Sequence, residues 1–330
     1  MFSAKGKLIL SIVCIVCLIS SVFLGVGLAK QVSVLSFGEG VNIASLDKPE
    51  PVGMVNVLVM GTDDGGLRSD TMMLVSMNGH TNQVNILSIP RDTRVQIGKN
   101  YQKINAAIGI GAQEVKKGNQ KEPEELPIEK VKLITGMPIH YFATVDLDGF
   151  KAIIDALGGV DYDVPFNMNY DDPTQDLHIH FKPGMQHLDG QKAHDYVRFR
   201  HNTDMTAPGD YAMGDEGRIR AQQAFLKELA RQKLQPQYLV KINDLFAVIR
   251  EHVRTNYTAL DLAKHLSIIK NIDPSKIETF QLPGEARYIN GISYYVYDEA
   301  KTIEMVQQYF QPNSLPPGTE EGTDAADADE

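Results

Sequence analysis

The sequence predicts an α/β fold, one domain of about 260 residues behind a single N-terminal membrane span. Three observations predict it. An uncharged run from Leu8 to Leu28 opens the chain. Short apolar runs then alternate with segments of helical period from Val55 onward. Charged residues gather where those runs end rather than inside them.

The 330 residues carry a net charge of −10 and are 43% hydrophobic, enough for a sizeable core. Residues 311–330 hold six acids and no base, and removing those six charges from −10 leaves −4. A folded part this mildly acidic has no general basic face, so no nucleic-acid partner is expected.

Leu8 to Leu28 spans 21 residues, long enough to cross a bilayer as a helix. Lys5 and Lys7 precede it, which places residues 1–7 in the cytoplasm and the rest outside, as a single-pass protein of the cell membrane. Gly27-Leu28-Ala29 also resembles a signal-peptide cleavage site, but the length of the run favours an anchor. Cys14 and Cys17 both lie inside the run, so the exported part has no disulfide and no thiol nucleophile.

Residues 29–52 read as a linker, with Gly38, Gly40, Pro49 and Pro51 in a polar setting. The folded part is expected over 53–310, with a core at 53–235 and an extension at 236–310. The acidic tail, 311–330, is expected to be disordered.

Val55 to Met60 reads as a buried strand, and Thr71 to Met77 and Gln83 to Ile89 as two more, with Asn78-Gly79 as the hairpin signal between them. Lys103 to Gly111 has a helical rhythm. Pro127 to Thr135 reads as a helix stopped by Gly136 and Pro138. Tyr141 to Val145 is strand-like, and Asp148 is placed to cap a helix carrying Phe150, Ile153 and Ile154. Val160 to Val164 and Leu177 to Phe181 alternate as strands, and Asp189 or Gly190 opens a helix. Tyr196 to His201 presents Arg198 and Arg200. Helices follow at Asp215 to Leu234, Tyr238 to Arg254 and Ala259 to Ile269, then strands at Thr279 to Leu282 and Tyr294 to Tyr297, and a helix at Glu299 to Phe310.

Asp63 falls just past the first strand, Asp70 at the start of the second and Arg91 past the third, so three strand ends can converge on one sheet edge. Paired carboxylates suit Mg²⁺, which takes one or two of them plus waters and phosphate oxygens, with Mn²⁺ as a substitute; Asp64 competes as a ligand. Equally, these are common turn residues. Arg198 and Arg200 share a face if the segment is extended, and Arg218 and Gln222 share a face of a helix. With Arg68 and Arg91 they make a candidate anion pocket, since arginine grips phosphate bidentately.

His178 and His180 share a strand face. Zinc needs three or four converging ligands, and neither a His-Glu-x-x-His pair nor a cysteine supports them, so they read as an outer strand surface. Asp146/Asp148 and Asp161/Asp163 resemble the acidic pairs of nucleotide-sugar transferases, but read as a helix cap and a solvent-facing strand. No Gly-rich phosphate loop and no serine-nucleophile elbow occurs.

Eight segments together resemble the LytR-CpsA-Psr family. They are LRSDTMMLV (Leu67 to Val75), ILSIPRDT (Ile86 to Thr93), KINAA (Lys103 to Ala107) and VDLDGF (Val145 to Phe150). The others are ALGGVD (Ala156 to Asp161), PGMQHLDG (Pro183 to Gly190), YVRFR (Tyr196 to Arg200) and GDEGRIRAQQ (Gly214 to Gln223). The resemblance covers about residues 53–235. It implies a three-layer α-β-α sandwich with a mixed, largely antiparallel central sheet and a groove for a polyprenyl chain. It implies a membrane-anchored phosphotransferase that moves an anionic glycopolymer, such as wall teichoic acid or capsule, from undecaprenyl pyrophosphate to the C6 hydroxyl of N-acetylmuramic acid in peptidoglycan.

By motif position, Asp63 and Asp70 would hold Mg²⁺, and Arg68, Arg91, Arg198, Arg200, Arg218 and Gln222 would grip the pyrophosphate. Arg91 would be catalytic, with Asp70 or Asp92 deprotonating the acceptor. One departure stands out: many members have arginine where this chain has Ala221. The alternatives are a polyprenyl-pyrophosphate hydrolase using the same site, and a membrane-tethered transcriptional attenuator.

Overall fold

The computed structural model describes residues 41, 43, 45–48, 53–63, 65–174, 177–206, 215–233, 242–258, 261, 264–265, 272 and 276–310. The expected membrane span, both cysteines, most of the expected linker, the helix expected at Ala259 to Ile269 and the acidic tail lie largely or wholly outside these. Among the described residues no helix is long and apolar enough to cross a membrane.

The strands are β1 (Met54–Thr62), β2 (Ser69–Asn78), β3 (Val84–Ser88), β4 (Arg94–Ile97), β5 (Asn100–Lys103), β6 (Tyr141–Val145) and β7 (Val160–Val164). They continue with β8 (Met168–Asp172), β9 (Leu177–Phe181), β10 (Gly184–Leu188), β11 (Val253–Thr255), β12 (Ile277–Gln281), β13 (Gly284–Ile289) and β14 (Ile292–Tyr297). The helices are α1 (Ala107–Lys116), α2 (Glu125–Thr135), α3 (Leu147–Ala156), α4 (Gly190–Arg198), α5 (Asp215–Lys233), α6 (Ile242–His252) and α7 (Glu299–Met305).

Six strands make the central sheet, in the order β11-β6-β1-β2-β3-β12. β1 pairs antiparallel with β2, β2 with β3, and β6 with β11, while β1–β6 and β3–β12 are parallel. The sheet is therefore mixed. Side chains of a strand alternate faces, and here both faces are covered. Val57 and Val59 join one core cluster with Phe150 of α3, Tyr196 of α4 and Leu229 of α5. Leu58 and Met60 join the other with Val131 of α2 and Phe310. β1 is consequently buried along almost its whole length, which explains its apolar run; the polar residue within it, Asn56, is buried with hydrogen bonds to Pro138 O and from Ser76 Oγ.

Three local expectations change. Asp146, not Asp148, caps α3: its Oδ1 accepts from Gly149 N at 2.7 Å, while Asp148 pairs with Lys151 at 2.7 Å. The β2–β3 turn is not a two-residue Asn-Gly turn. Asn78 N donates to Gln83 O, Asn78 Oδ1 accepts from His80 N and Thr81 N, and Asn82 takes the left-handed φ of 56°. Arg198 is the last residue of α4, so it and Arg200 do not share an extended segment; Phe199 between them leaves the helix with ψ 136°.

β4 alternates polar and apolar residues but is only four residues long, β13 is exposed along nearly its whole length, and Val253–Thr255, inside the stretch read as a helix to Arg254, is the edge strand β11 paired with β6. Within the stretch read as linker, Ile43 is buried in the second core cluster. Asp47 Oδ2 is held by Lys132 Nζ at 2.7 Å and Ile139 N at 3.0 Å.

Candidate active site

Antiparallel pairing of β1 with β2 and of β2 with β3 brings the end of β1, the start of β2 and the end of β3 to one sheet edge. Thr62 pairs with Ser69, and Met73 with both Val59 and Ser88. The loop from Asp63 to Arg68 closes on itself there. Asp63 N donates to Arg68 O at 3.0 Å, and Asp63 Oδ1 accepts from Leu67 N and Arg68 N at 2.9 and 3.2 Å. These bonds orient the carboxylate and leave Oδ2 as its ligand-capable oxygen. Gly66 supplies the turn with φ 64°. Arg68 is exposed at the rim.

Asp70 and Arg91 are buried, 5% and 8% exposed, and Arg91 Nη1 lies 3.5 Å from Asp70 Oδ1. Burial pushes the Asp70 carboxyl above the usual carboxylate range; the Arg91 charge and a hydrogen bond from the Asn105 side chain oppose the rise, and the Asp63 charge adds to it. Asn105 also donates its backbone N–H to Arg91 O at 3.1 Å, so one residue steadies both partners. It was not among the residues singled out for the site, although it sits inside the KINAA segment. Asp92 faces Lys103 Nζ at 3.1 Å and lies 3.9 Å from Arg91 Nε.

Beside this pair, Thr71, Met72, Met73, Ser88, Ile89, Pro90 and Gln222 enclose a narrow cavity of ≈ 10 Å³, at the lower limit for one water. Thr71 Oγ1, Ser88 Oγ and Gln222 Oε1 are buried without hydrogen-bond partners. Buried polar atoms ordinarily find partners, so three orphans around one cavity mark a place built for a polar ligand or water. Gln222 Nε2 donates to Val197 O at 3.0 Å, which ties α5 to the residue before Arg198. Gln222 thus joins the sheet-edge half of the site to the arginine half.

Arg198 is 4% exposed. Its Nη1 lies 3.4 Å from His194 Nε2, one helical turn earlier, and His194 Nδ1 lies 2.9 Å from Asp195 Oδ1. Burial holds the His194 pKa below its usual value; the Asp195 bond opposes this and the Arg198 charge reinforces it. A neutral imidazole can donate to Asp195 and accept from Arg198. Neither His194 nor Asp195 stood out in the sequence as support for a site arginine. Arg200 lies near Arg198: both charges oppose the rise that burial gives the Tyr170 phenol. Arg218 sits in the first turn of α5, but its side chain is outside the described residues, as is Asp64. Ala221 is buried at 5% whereas Arg220 is exposed, so Arg220 does not occupy the face of Ala221.

The donor set suits a hard cation. Two carboxylates come together here, Asp70 buried with its carboxyl pushed above the usual range and Asp63 near enough for its charge to add to that rise, and oxygen is the ligand Mg²⁺ or Mn²⁺ prefers.

The LytR_cpsA_psr family model matches residues 30–311. The chain belongs to this family. A LytR_cpsA_psr relative, the polyisoprenyl-teichoic acid–peptidoglycan teichoic acid transferase TagV of Bacillus subtilis strain 168, is 31% identical over 81% of this chain and 67% of its own length. The corresponding transferase TagU of Bacillus mycoides is 31% identical over 79% of each. The crystal structure of B. subtilis TagV superposes with a TM-score of 0.60 at 30% identity, covering 79% of this chain and 97% of that one. Both relatives are named as teichoic acid transferases, and the mixed α/β architecture is shared with the TagV structure.

Proposed function

We propose that this protein transfers an anionic glycopolymer from a polyprenyl-pyrophosphate carrier to the C6 hydroxyl of N-acetylmuramic acid in peptidoglycan, forming a phosphodiester. The buried Asp70–Arg91 pair at the converging strand ends carries this reading. Family membership and the teichoic acid transferases among the relatives supply the substrate class.

Asp63 and Asp70 would hold Mg²⁺, or Mn²⁺ in its place, which when bound would neutralise phosphate charge and polarise the phosphoryl oxygens. Arg91, Arg198 and Arg200 grip the pyrophosphate, with Arg68 at the rim and Arg218 at the α5 N-terminus. Preorganised guanidinium groups stabilise charge that moves onto the leaving polyprenyl phosphate as the new P–O bond forms. Gln222, bonded to Val197 O, ties α5 and the narrow cavity beside the sheet edge to the segment that carries Arg198. With Asp63 and Asp70 committed to the cation, Asp92, on the turn beside Arg91 and paired with Lys103, is the carboxylate that accepts the acceptor hydroxyl's proton.

The apolar run Leu8 to Leu28 anchors the chain in the cell membrane, with the folded part outside, next to both substrates. An impermeant label should reach a cysteine introduced near residue 320; protection of that cysteine in intact cells sinks the topology and the reaction with it.

The deciding assay combines full-length protein, a lipid-linked teichoic acid precursor and peptidoglycan. Polymer should become covalently attached to the wall, dependent on Mg²⁺ and on Arg91. Release of phosphate lipid at the same rate without acceptor would make the protein a hydrolase instead. Unchanged transfer by Arg91→Ala refutes the site.

A further inference from the structure

A second group of metal-ligating side chains lies away from the sheet edge. β9 alternates buried and exposed residues, so His178 and His180 both point outward. β8 pairs with it antiparallel, in a register that sets Asp171 opposite His178 and Asn169 opposite His180. Directly opposed residues on one face bring their Cβ atoms to about 5 Å, close enough for these side chains to converge. His178 Nδ1 lies 2.6 Å from Asp171 Oδ1, and His180 Nε2 lies 3.3 Å from the same oxygen. One ligand atom from each of the three lies within 4.8 Å of the others, the one such set among the described residues.

Asn169 fixes which nitrogen of His180 is available. Its Oδ1 lies 2.6 Å from His180 Nδ1. A carboxamide oxygen only accepts, so Nδ1 carries the proton, and in the neutral ring Nε2 is the nitrogen left to ligate. Nε2 lies 3.3 Å from Asp171 Oδ1, the spacing of two ligands that share one ion. An outer partner on the second ring nitrogen is also what metal-bound histidines usually have. With bonds of about 2.0 Å, a tetrahedral ion holds its ligands about 3.3 Å apart, the present His180–Asp171 spacing, and His178 opens from 2.6 Å by about 0.7 Å to match it.

The strand that carries Asp171 is held from behind. Asn169 N donates to Asn202 Oδ1 at 2.8 Å, Asp171 N to Thr203 Oγ1 at 3.1 Å, and Thr203 N to Asn169 O at 2.9 Å. The ligands therefore stand on a braced hairpin, and the bracing segment follows directly on Arg198 and Arg200.

We propose that Asp171, His178 and His180 form a binding site for a borderline divalent transition ion of the Zn²⁺ type, distinct from the carboxylate pair at the sheet edge. Two imidazoles and one carboxylate suit such an ion, whereas Mg²⁺ prefers oxygen alone. Three protein ligands leave a fourth position open to solvent.

Calorimetric titration of the full-length protein in detergent with ZnCl₂, in millimolar Mg²⁺, tests this. One zinc per chain is expected, with affinity at least tenfold weaker in His178→Ala/His180→Ala and in Asp171→Asn. Zinc should raise the melting temperature of the parent protein and leave that of the double variant unmoved. Circular dichroism should be unaltered, since all three side chains are exposed; should the double variant misfold, His180→Gln alone is read the same way. Equal zinc affinity in parent and variant, or no zinc taken up by the parent, overturns the proposal.

Discussion

Arg91 Nη1 stands 3.5 Å from Asp70 Oδ1 with both side chains nearly excluded from solvent. Arg91 opposes the rise that burial imposes on the Asp70 carboxyl, and Asp70 in turn holds the guanidinium at the mouth of the sheet edge. Arg91→Ala should therefore do two things at once. Polymer transfer should fall by about two orders of magnitude or more, the usual scale for removing a preorganised charge from a transition state. Mg²⁺ binding should become more sensitive to acid, because the largest opposition to the effect of burial on Asp70 is then gone and only the Asn105 bond and the Arg68 charge remain. Transfer assays and Mg²⁺ titrations across pH 5 to 8 check both.

Asp70→Asn separates stability from activity. The folded-state pKa of Asp70 is raised, so the native state binds this proton more tightly than the unfolded chain. In metal-free protein, stability is then lost as pH rises from the unfolded value through the folded one. The asparagine variant should melt higher than the parent at neutral pH without Mg²⁺, and the difference should vanish in acid below the ordinary aspartate range. It should also fail to gain stability from added Mg²⁺. Thermal melts with and without Mg²⁺ read this directly.

Gly109 of α1 backs onto the site loop. A Cβ there would lie 2.3 Å from Leu67 O, a backbone atom that cannot swing aside. Gly109→Ala should push the Asp63–Arg68 loop outward and weaken Mg²⁺ binding and transfer by tenfold or more, although residue 109 touches no substrate. Gly118→Ser, on a turn with no atom within 4 Å of its would-be Cβ but φ 79°, should strain only that turn and leave transfer intact.

Gln222 bonds Val197 O from a 1% exposed position. Gln222→Leu keeps the volume and removes that donor, leaving a buried carbonyl without its amide. Stability should drop by about 1–3 kcal/mol in chemical denaturation. Transfer should drop further than this loss of stability alone accounts for, because the tie between α5 and the segment carrying Arg198 is released.

His194 acts on Arg198 from behind. His194→Leu removes the acceptor 3.4 Å from Arg198 Nη1 and leaves Asp195 without its imidazole partner. The Michaelis constant for the lipid-linked substrate should rise severalfold with kcat less affected, and His194→Gln should restore much of it. Equal loss in both parameters would point to structural damage instead.

Much of this was legible in the chain. The apolar runs at Val55 to Met60, Thr71 to Met77 and Gln83 to Ile89 became β1, β2 and β3, because a strand buried on both faces is predominantly apolar. Their order alone placed Asp63, Asp70 and Arg91 at one edge. The family followed from eight short segments, and the match over residues 30–311 agrees. Side-chain company was decided only by the fold. Asn105 reaches Asp70, Gln222 reaches Val197 and Asp195 reaches His194 through packing that no local pattern encodes. The sequence shows no third ligand beside His178 and His180, and the β8–β9 register brings Asp171 to them across the hairpin. Sequence determines which residues share a face of one element, since that follows from the period of the backbone. Which two elements lie side by side, and in what register, is settled by burial of the whole core.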